Sequence, residues 1–101
     1  MAKNVVWTNT AQKARQDILE YWYWHNKYKE YPQKLSKLFR EKIELLQTQY
    51  YLGKPTDVKG VRVSLVSHFS IFFNITATQI IIVGLWDNRR NPDDLHKNLE
   101  M

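Results

Sequence analysis

The groups in this chain that could handle a phosphate are arginines, lysines and histidines. Arg62 follows Gly60-Val61, and Arg89-Arg90 follow a long apolar run. A guanidinium presents a planar fork of donors that matches phosphate oxygens, so each of the three is a candidate nucleic-acid or target contact. Lys54 and Lys59 lie just ahead of Arg62, and His68 and His96 are acid–base types near the two arginine positions. A rim Lys or His can act in RNA cleavage as general base or acid, or can stabilise charge developing at phosphorus. That chemistry requires Arg62, Lys54 or Lys59, Arg89 or Arg90, and His68 or His96 to converge on one face. Dispersed, the same residues are solvated charge.

Other chemistries have little support. His25, His68 and His96 are scattered and form no ligand-spacing motif, so no metal is expected. Asp87 beside His68 across a hairpin is the one pairing the order of residues suggests. There is no Cys, hence no disulfide, thiolate ligand or thiol nucleophile. No G-x-x-x-x-G-K pattern precedes Gly53-Lys54-Pro55, and no Ser-His-Asp constellation is readable. Asn74-Ile75-Thr76 is formally a glycosylation acceptor, but nothing indicates secretion. No cofactor is expected.

These residues need a scaffold, and the periodicity supplies an α+β one. Residues 3–8 read as a strand through Val5, Val6 and Trp7, with Thr8 or Thr10 positioned to cap the helix after it. Ala11, Ala14, Ile18 and Trp22 recur at helical spacing, predicting a helix over about 11–24. Tyr21-Trp22-Tyr23-Trp24 cannot all face one side of it. After a polar break at 25–31, Pro32 suits the first turn of a second helix, with Leu35, Leu38, Phe39, Ile43, Leu46 and Tyr50 as its apolar stripe. Lys37–Glu41 and Arg40–Glu44 are i,i+4 pairs on its wet side. Residues 53–57 read as a connecting loop.

From Val61 the period becomes two. Residues 61–65, 69–75 and 79–86 read as three sequential antiparallel strands joined by short turns, with the N-terminal strand completing one sheet. Ile80-Ile81-Ile82-Val83-Gly84-Leu85-Trp86 is apolar on both faces, the mark of a central strand or one covered by another molecule. With Phe69, Ile71, Phe73 and Ile75 against the helices, His68, Ser70, Phe72 and Asn74 share the open face. Val61, Val63 and Leu65 are expected to face the core, which would put Arg62 and Ser64 on the open face. Residues 92–101 read as a short C-terminal helix or tail.

With 101 residues, 44% apolar and 25% charged, the chain is expected to form one globular domain over 1–101. Its net charge of +5 is concentrated in residues 1–60, which hold 11 Lys+Arg against 6 acids, while residues 61–101 hold 4 against 4. That balance suits a nucleic acid or an acidic protein partner. Four Trp, six Tyr and four Phe need a core or a partner surface. The apolar run at 80–86 is too short to cross a bilayer as a helix, and no cleavable signal is evident, so the expectation is cytoplasmic with no membrane contact.

Several segments, in this order, carry a resemblance to the RelE/ParE family of type II toxin–antitoxin toxins. They are Ala11 with Asp17-Ile18, Gly53-Lys54-Pro55, Gly60-Val61-Arg62, the 69–75 strand, and Leu85-Trp86-Asp87-Asn88-Arg89-Arg90-Asn91-Pro92. The resemblance spans nearly the whole chain. It implies strand, helical hairpin and three-stranded meander, and a toxin neutralised by a cognate antitoxin that wraps a helix and an extended segment around it. Tyr21, Trp24, Ile81, Val83 and Leu85 are the interface residues it suggests.

Family members split by target. RelE-like members cleave mRNA on the ribosome, and ParE-like members inhibit DNA gyrase. Arg62 matches the second-strand arginine that RelE-like members use at the scissile phosphate, and Arg89 or Arg90 matches the arginine after the last strand. Lys54 and Lys59 fall in the region of the RelE-like lysines. No Tyr follows Arg90, which leaves His96 as the nearby acid–base group, and the Arg89-Arg90-Asn91 ending resembles ParE-like members. Three readings stay open: a gyrase inhibitor, a metal-independent ribosome-dependent mRNA endonuclease, and an inactive toxin-like binding module. None calls for a small-molecule cofactor.

Overall fold

The computed structural model describes residues 2–26 and 28–89. Strand β1 spans Asn4–Trp7. Thr8 remains extended and caps the next element: its hydroxyl accepts the Ala11 N–H at 3.1 Å and donates to the Ile82 carbonyl at 3.2 Å. One side chain therefore satisfies an orphan helix donor and ties the helix start to the sheet. Because Thr8 is the cap, α1 begins earlier than the periodicity alone suggests and runs Asn9–His25. Helix α2 spans Glu30–Thr48 with Pro32 in its first turn, where a missing N–H removes no intrahelical bond. Leu35, Phe39, Ile43 and Leu46 form its buried stripe. A 3-10 turn follows at Tyr50–Leu52, so Tyr50 leaves the stripe that its spacing predicts and is exposed.

The 53–57 segment, expected as a loop, contributes a two-residue strand β2, Lys54–Pro55, antiparallel to β3, Arg62–Val66. Strands β4, Phe69–Ile75, and β5, Gln79–Asp87, complete the antiparallel meander. The five-stranded sheet has the order β1-β5-β4-β3-β2, with β1 parallel to β5. The apolar strand β5 is thus interior to the sheet, which accounts for its lack of a polar face. Both helices lie on one face, giving the α+β architecture. There Phe39, Phe69, Phe73, Leu46, Ile80 and Ile82 are fully enclosed, and the Phe39 and Phe69 rings meet edge to face at 5.5 Å.

Register decides which residues reach that core. Phe72 pairs with Gly84 but Phe73 with Ile82, so Val83 is an extra residue in β5, a bulge. The bulge lets Ile80, Ile82 and Leu85, spaced by two and then three, all face the helices. The Ser67-His68 turn sets Val66 opposite Phe69. Directly paired residues share a face. Arg62, Ser64 and Val66 therefore lie with Phe73, Ile71 and Phe69 on the helix side, and Val63 and Leu65 lie with Phe72 and Ser70 on the other. The expected alternation in β3 is present but on the opposite side, and Arg62 does not stand on the open face.

That second face is itself partly covered. Val61, Phe72 and Trp86 bury one another, with Val58, Val63 and Val83 packed around them. The 56–60 loop lies over this cluster, held by Thr56, whose hydroxyl donates to the Val61 carbonyl at 2.8 Å and accepts the Val58 N–H at 3.2 Å. Gly60 supplies the left-handed turn at φ 82°. Leu65 remains 63% exposed at the rim. The predicted C-terminal helix or tail at 92–101 lies outside the described residues. No described helix is long and apolar enough to cross a membrane.

Candidate functional site

Arg62 opens β3 opposite Pro55 on one side and Phe73 on the other. Its guanidinium is half-buried and turned onto the Gly53 carbonyl, donating from Nε at 3.2 Å and from Nη2 at 2.9 Å. Gly53 is buried against the Phe73 ring; a Cβ there would come within 2.3 Å of Cζ. Arg62, Gly53 and Phe73 thus form one packed unit that fixes the entrance to β2. A charged fork holding a backbone carbonyl is a structural clamp first, with only part of its surface left for a ligand.

Arg89 leaves the far end of β5 and folds back. Its Nε and Nη2 donate to the two Asp87 carboxylate oxygens, both at 2.9 Å, and its backbone N–H donates to Oδ1 at 3.0 Å. The guanidinium lies 4.4 Å from the Trp22 ring centroid. Trp22 in turn meets the Tyr31 ring edge to face at 5.4 Å, so α1, α2 and the strand end are joined through aromatic contacts. Hydrogen bonding to Asp87 holds the Arg89 proton above the group's ordinary range, although burial opposes it. Asp87 and Arg89, two residues apart at a strand end, share a side; that spacing is readable in sequence as an ion pair. A groove of about 370 Å³ runs beside them, lined by Asp17, Tyr21, Trp22, Leu85, Asp87 and Arg89 among others.

The remaining candidates do not join these two. Arg62 sits at the Phe73 end of β4 and Arg89 beyond its Phe69 end. At roughly 3.3 Å per residue, the span from Phe73 to Phe69 alone puts more than about 13 Å of strand between them. Lys54 is exposed and pairs with Val63, so it belongs to the face away from the helices, and Lys59 is exposed in the covering loop. His68 occupies the β3–β4 turn, where its carbonyl accepts the Asn88 N–H at 2.9 Å. Ser70, on the same face as Phe72, donates to Asn88 Oδ1 at 2.7 Å, a link with no obvious sequence signal. Arg90 and His96 lie outside the described residues. Among the described residues no cluster of His, Asp or Glu is placed to hold a metal ion.

The interface candidates separate into three groups. Tyr21 and Trp24 are 47% and 68% exposed, near the tip of the helical hairpin. Tyr21 stacks on His25, while Lys29 lies 5.2 Å from the Trp24 ring centroid and 4.2 Å from that of Tyr23. Ile81 and Val83 are partly exposed on the sheet face away from the helices. Leu85 is only 4% exposed and packs in the core, because the Val83 bulge moves it to the helix side. Leu38, Leu45 and Leu52 are exposed at 42%, 38% and 49%, although the spacing of Leu38 predicts a place in the buried stripe.

The family model described as "ParE toxin of type II toxin-antitoxin system, parDE" matches residues 5–92. Among solved structures, the chain is similar to one from the chromosomal ParDE toxin–antitoxin system of P. aeruginosa. That likeness has a TM-score of 0.73 at 23% identity, covering 83% of this chain and 94% of the other. It is also similar to a chain of the RelBE2 toxin–antitoxin complex from Mycobacterium tuberculosis, with a TM-score of 0.63 at 16% identity, covering 84% and 96%. At these identities both likenesses speak to the fold. No curated protein matches in sequence.

Proposed function

The chain belongs to the ParE toxin family of type II toxin–antitoxin systems, and we propose that it arrests growth by inhibiting DNA gyrase until a cognate antitoxin covers it. The observation that carries this reading is the use to which the two described arginines are put. Arg62 clamps the Gly53 carbonyl and Arg89 is held by Asp87, at opposite ends of the sheet. A phosphodiester cleavage site needs cations and an acid–base pair within a few ångströms of one phosphate. The described residues offer no such convergence, which supports a protein that binds its target rather than cutting RNA. The exposed aromatic tip and the apolar sheet rim supply surface for the antitoxin.

The test is a supercoiling reaction with purified gyrase and relaxed plasmid. Added toxin should suppress supercoiling, and prior mixing with antitoxin should restore it. Full supercoiling at saturating toxin, together with transcript cleavage in a purified translation reaction, would replace this reading by the ribosome-dependent endonuclease.

A further inference from the structure

We propose that the tip of the helical hairpin is a stacking platform for the unpaired bases of single-stranded DNA, with Lys29 and Lys34 as its phosphate contacts. The choice of DNA over RNA rests on the gyrase reading; the platform rests on the side chains at the tip.

Four large aromatic side chains stand exposed where α1 passes into α2: Tyr21, Tyr23, Trp24 and Tyr28. The last five residues of α1, Tyr21-Trp22-Tyr23-Trp24-His25, all carry rings. A helix turns by about 100° per residue, so these rings radiate around its end. Trp22 alone turns inward, onto Tyr31. No exposed large aliphatic side chain accompanies the others. Among the described residues from Asn9 to Lys37, every exposed large hydrophobic is aromatic. A tip that enters a bilayer, or seats in an apolar pocket of a protein, carries Leu or Met among its rings. Rings interleaved with cations alone suit nucleotides, whose bases offer a π-face and whose phosphates need a positive partner.

The cations are placed to serve that purpose. Lys29 Nζ donates to the Tyr23 carbonyl and lies 4.2 Å and 5.2 Å from the Tyr23 and Trp24 ring centroids. A cation is favoured at this helix C-terminus, and the bond uses one of the ammonium's three donors. The Tyr21 and His25 rings are already stacked, 4.1 Å apart and 10° from parallel, an arrangement that a further flat ring extends. Across the turn lies a recess of about 570 Å³ lined by Asn26, Tyr28, Glu30, Tyr31 and Lys34. Asn26 Oδ1 accepts the Tyr28 N–H at 2.8 Å and holds the turn. The recess thus combines rings, an amide, a carboxylate and an ammonium, the groups that meet a base edge and its phosphate. Residues 21–34 hold Lys27, Lys29 and Lys34 against Glu30, a balance complementary to a polyanion. Bases in a duplex hide their faces in one another, so a stacking platform selects single strands. Under the proposed function the antitoxin covers this same tip, and the two occupants exclude one another.

The test uses purified full-length toxin and a fluorescein-labelled oligothymidylate of about 12 nucleotides, read by anisotropy at low salt. Binding should weaken as salt rises and should exceed that of a duplex of equal length at least tenfold. Affinity should fall at least tenfold in the Trp24→Ala/Tyr28→Ala double variant, which should melt within about 4 °C of wild type because both side chains are exposed. Lys29→Met should weaken binding at least threefold. Lys59→Met, which removes the same charge from the loop on the other side of the sheet, should change it less than twofold. A duplex bound as tightly as the single strand, a double variant as tight as wild type, or no anisotropy change with wild-type toxin overturns the platform. Tighter binding of oligouridylate overturns the assignment to DNA in favour of RNA, and binding to anionic vesicles without oligothymidylate binding overturns it in favour of a membrane surface. Gyrase is absent from this assay, so those outcomes leave the gyrase reading standing. Toxin that binds oligothymidylate while supercoiling proceeds unchanged overturns the gyrase reading alone.

Discussion

Arg62 separates a structural clamp from a target contact, and Arg62→Ala distinguishes them. The substitution removes two donors from the Gly53 carbonyl, at 3.2 and 2.9 Å, in a part-buried setting beside the enclosed Phe73. Hydrogen bonds from charged donors contribute about 1.5–3 kcal/mol, and an abandoned buried carbonyl adds to the loss. We therefore expect Arg62→Ala to lower stability by about 2–3 kcal/mol, measured by urea unfolding of purified toxin. At roughly 4–8 °C per kcal/mol for a domain of this size, the melting temperature should fall on the order of 10–20 °C. Arg62→Lys, which can supply one of the two bonds, should lie between. Total stability of small domains is about 5–15 kcal/mol, so the variant should stay folded at low temperature. Growth arrest in the cold should then survive Arg62→Ala and weaken only on warming. Wild-type stability together with complete loss of growth arrest in the cold would refute the clamp and return Arg62 to the target.

Three further substitutions probe the same frame. Gly53→Ala should cost about 1–3 kcal/mol through crowding of the Phe73 ring, and Phe73→Leu should relieve part of it; strictly additive losses in the double-mutant cycle would rule crowding out. Thr8→Ala should cost about 1–2 kcal/mol, because the helix cap and the bond to the Ile82 carbonyl go together; unchanged thermal unfolding would show that neither matters.

Asp87 illustrates how local geometry constrains function. Paired with Arg89 and lying near α1, it turns a nominal ligand residue into part of the wall of a groove. Arg89 keeps a side-chain exposure of 45%, so the pair adds little to stability in water. Its effect is directional: it presents the guanidinium over Trp22 instead of toward the sheet face where a phosphate contact is expected from the sequence.

Much of the architecture was legible because periodicity is a local property. The 3.6-residue spacing of Leu35, Phe39, Ile43 and Leu46 and the two-residue spacing of Phe69, Ile71 and Phe73 each require one buried face, and both faces meet in the core. The unbroken apolar run of β5 likewise implied an interior strand, and the family resemblance followed from segments in order along the chain. Period two, however, is symmetric: it says that Arg62 and Val63 lie on opposite sides, not which side is covered. That choice came from pairing Val66 with Phe69 across Ser67-His68, where a shift of one residue would exchange the faces. The Val83 bulge moved Leu85 inward for the same kind of reason, since an extra residue changes register only relative to a partner strand. Sequence alone determined which residues can be buried together and which are charged. Tertiary pairing decided where each charge points, and so separated Arg62 from Arg89.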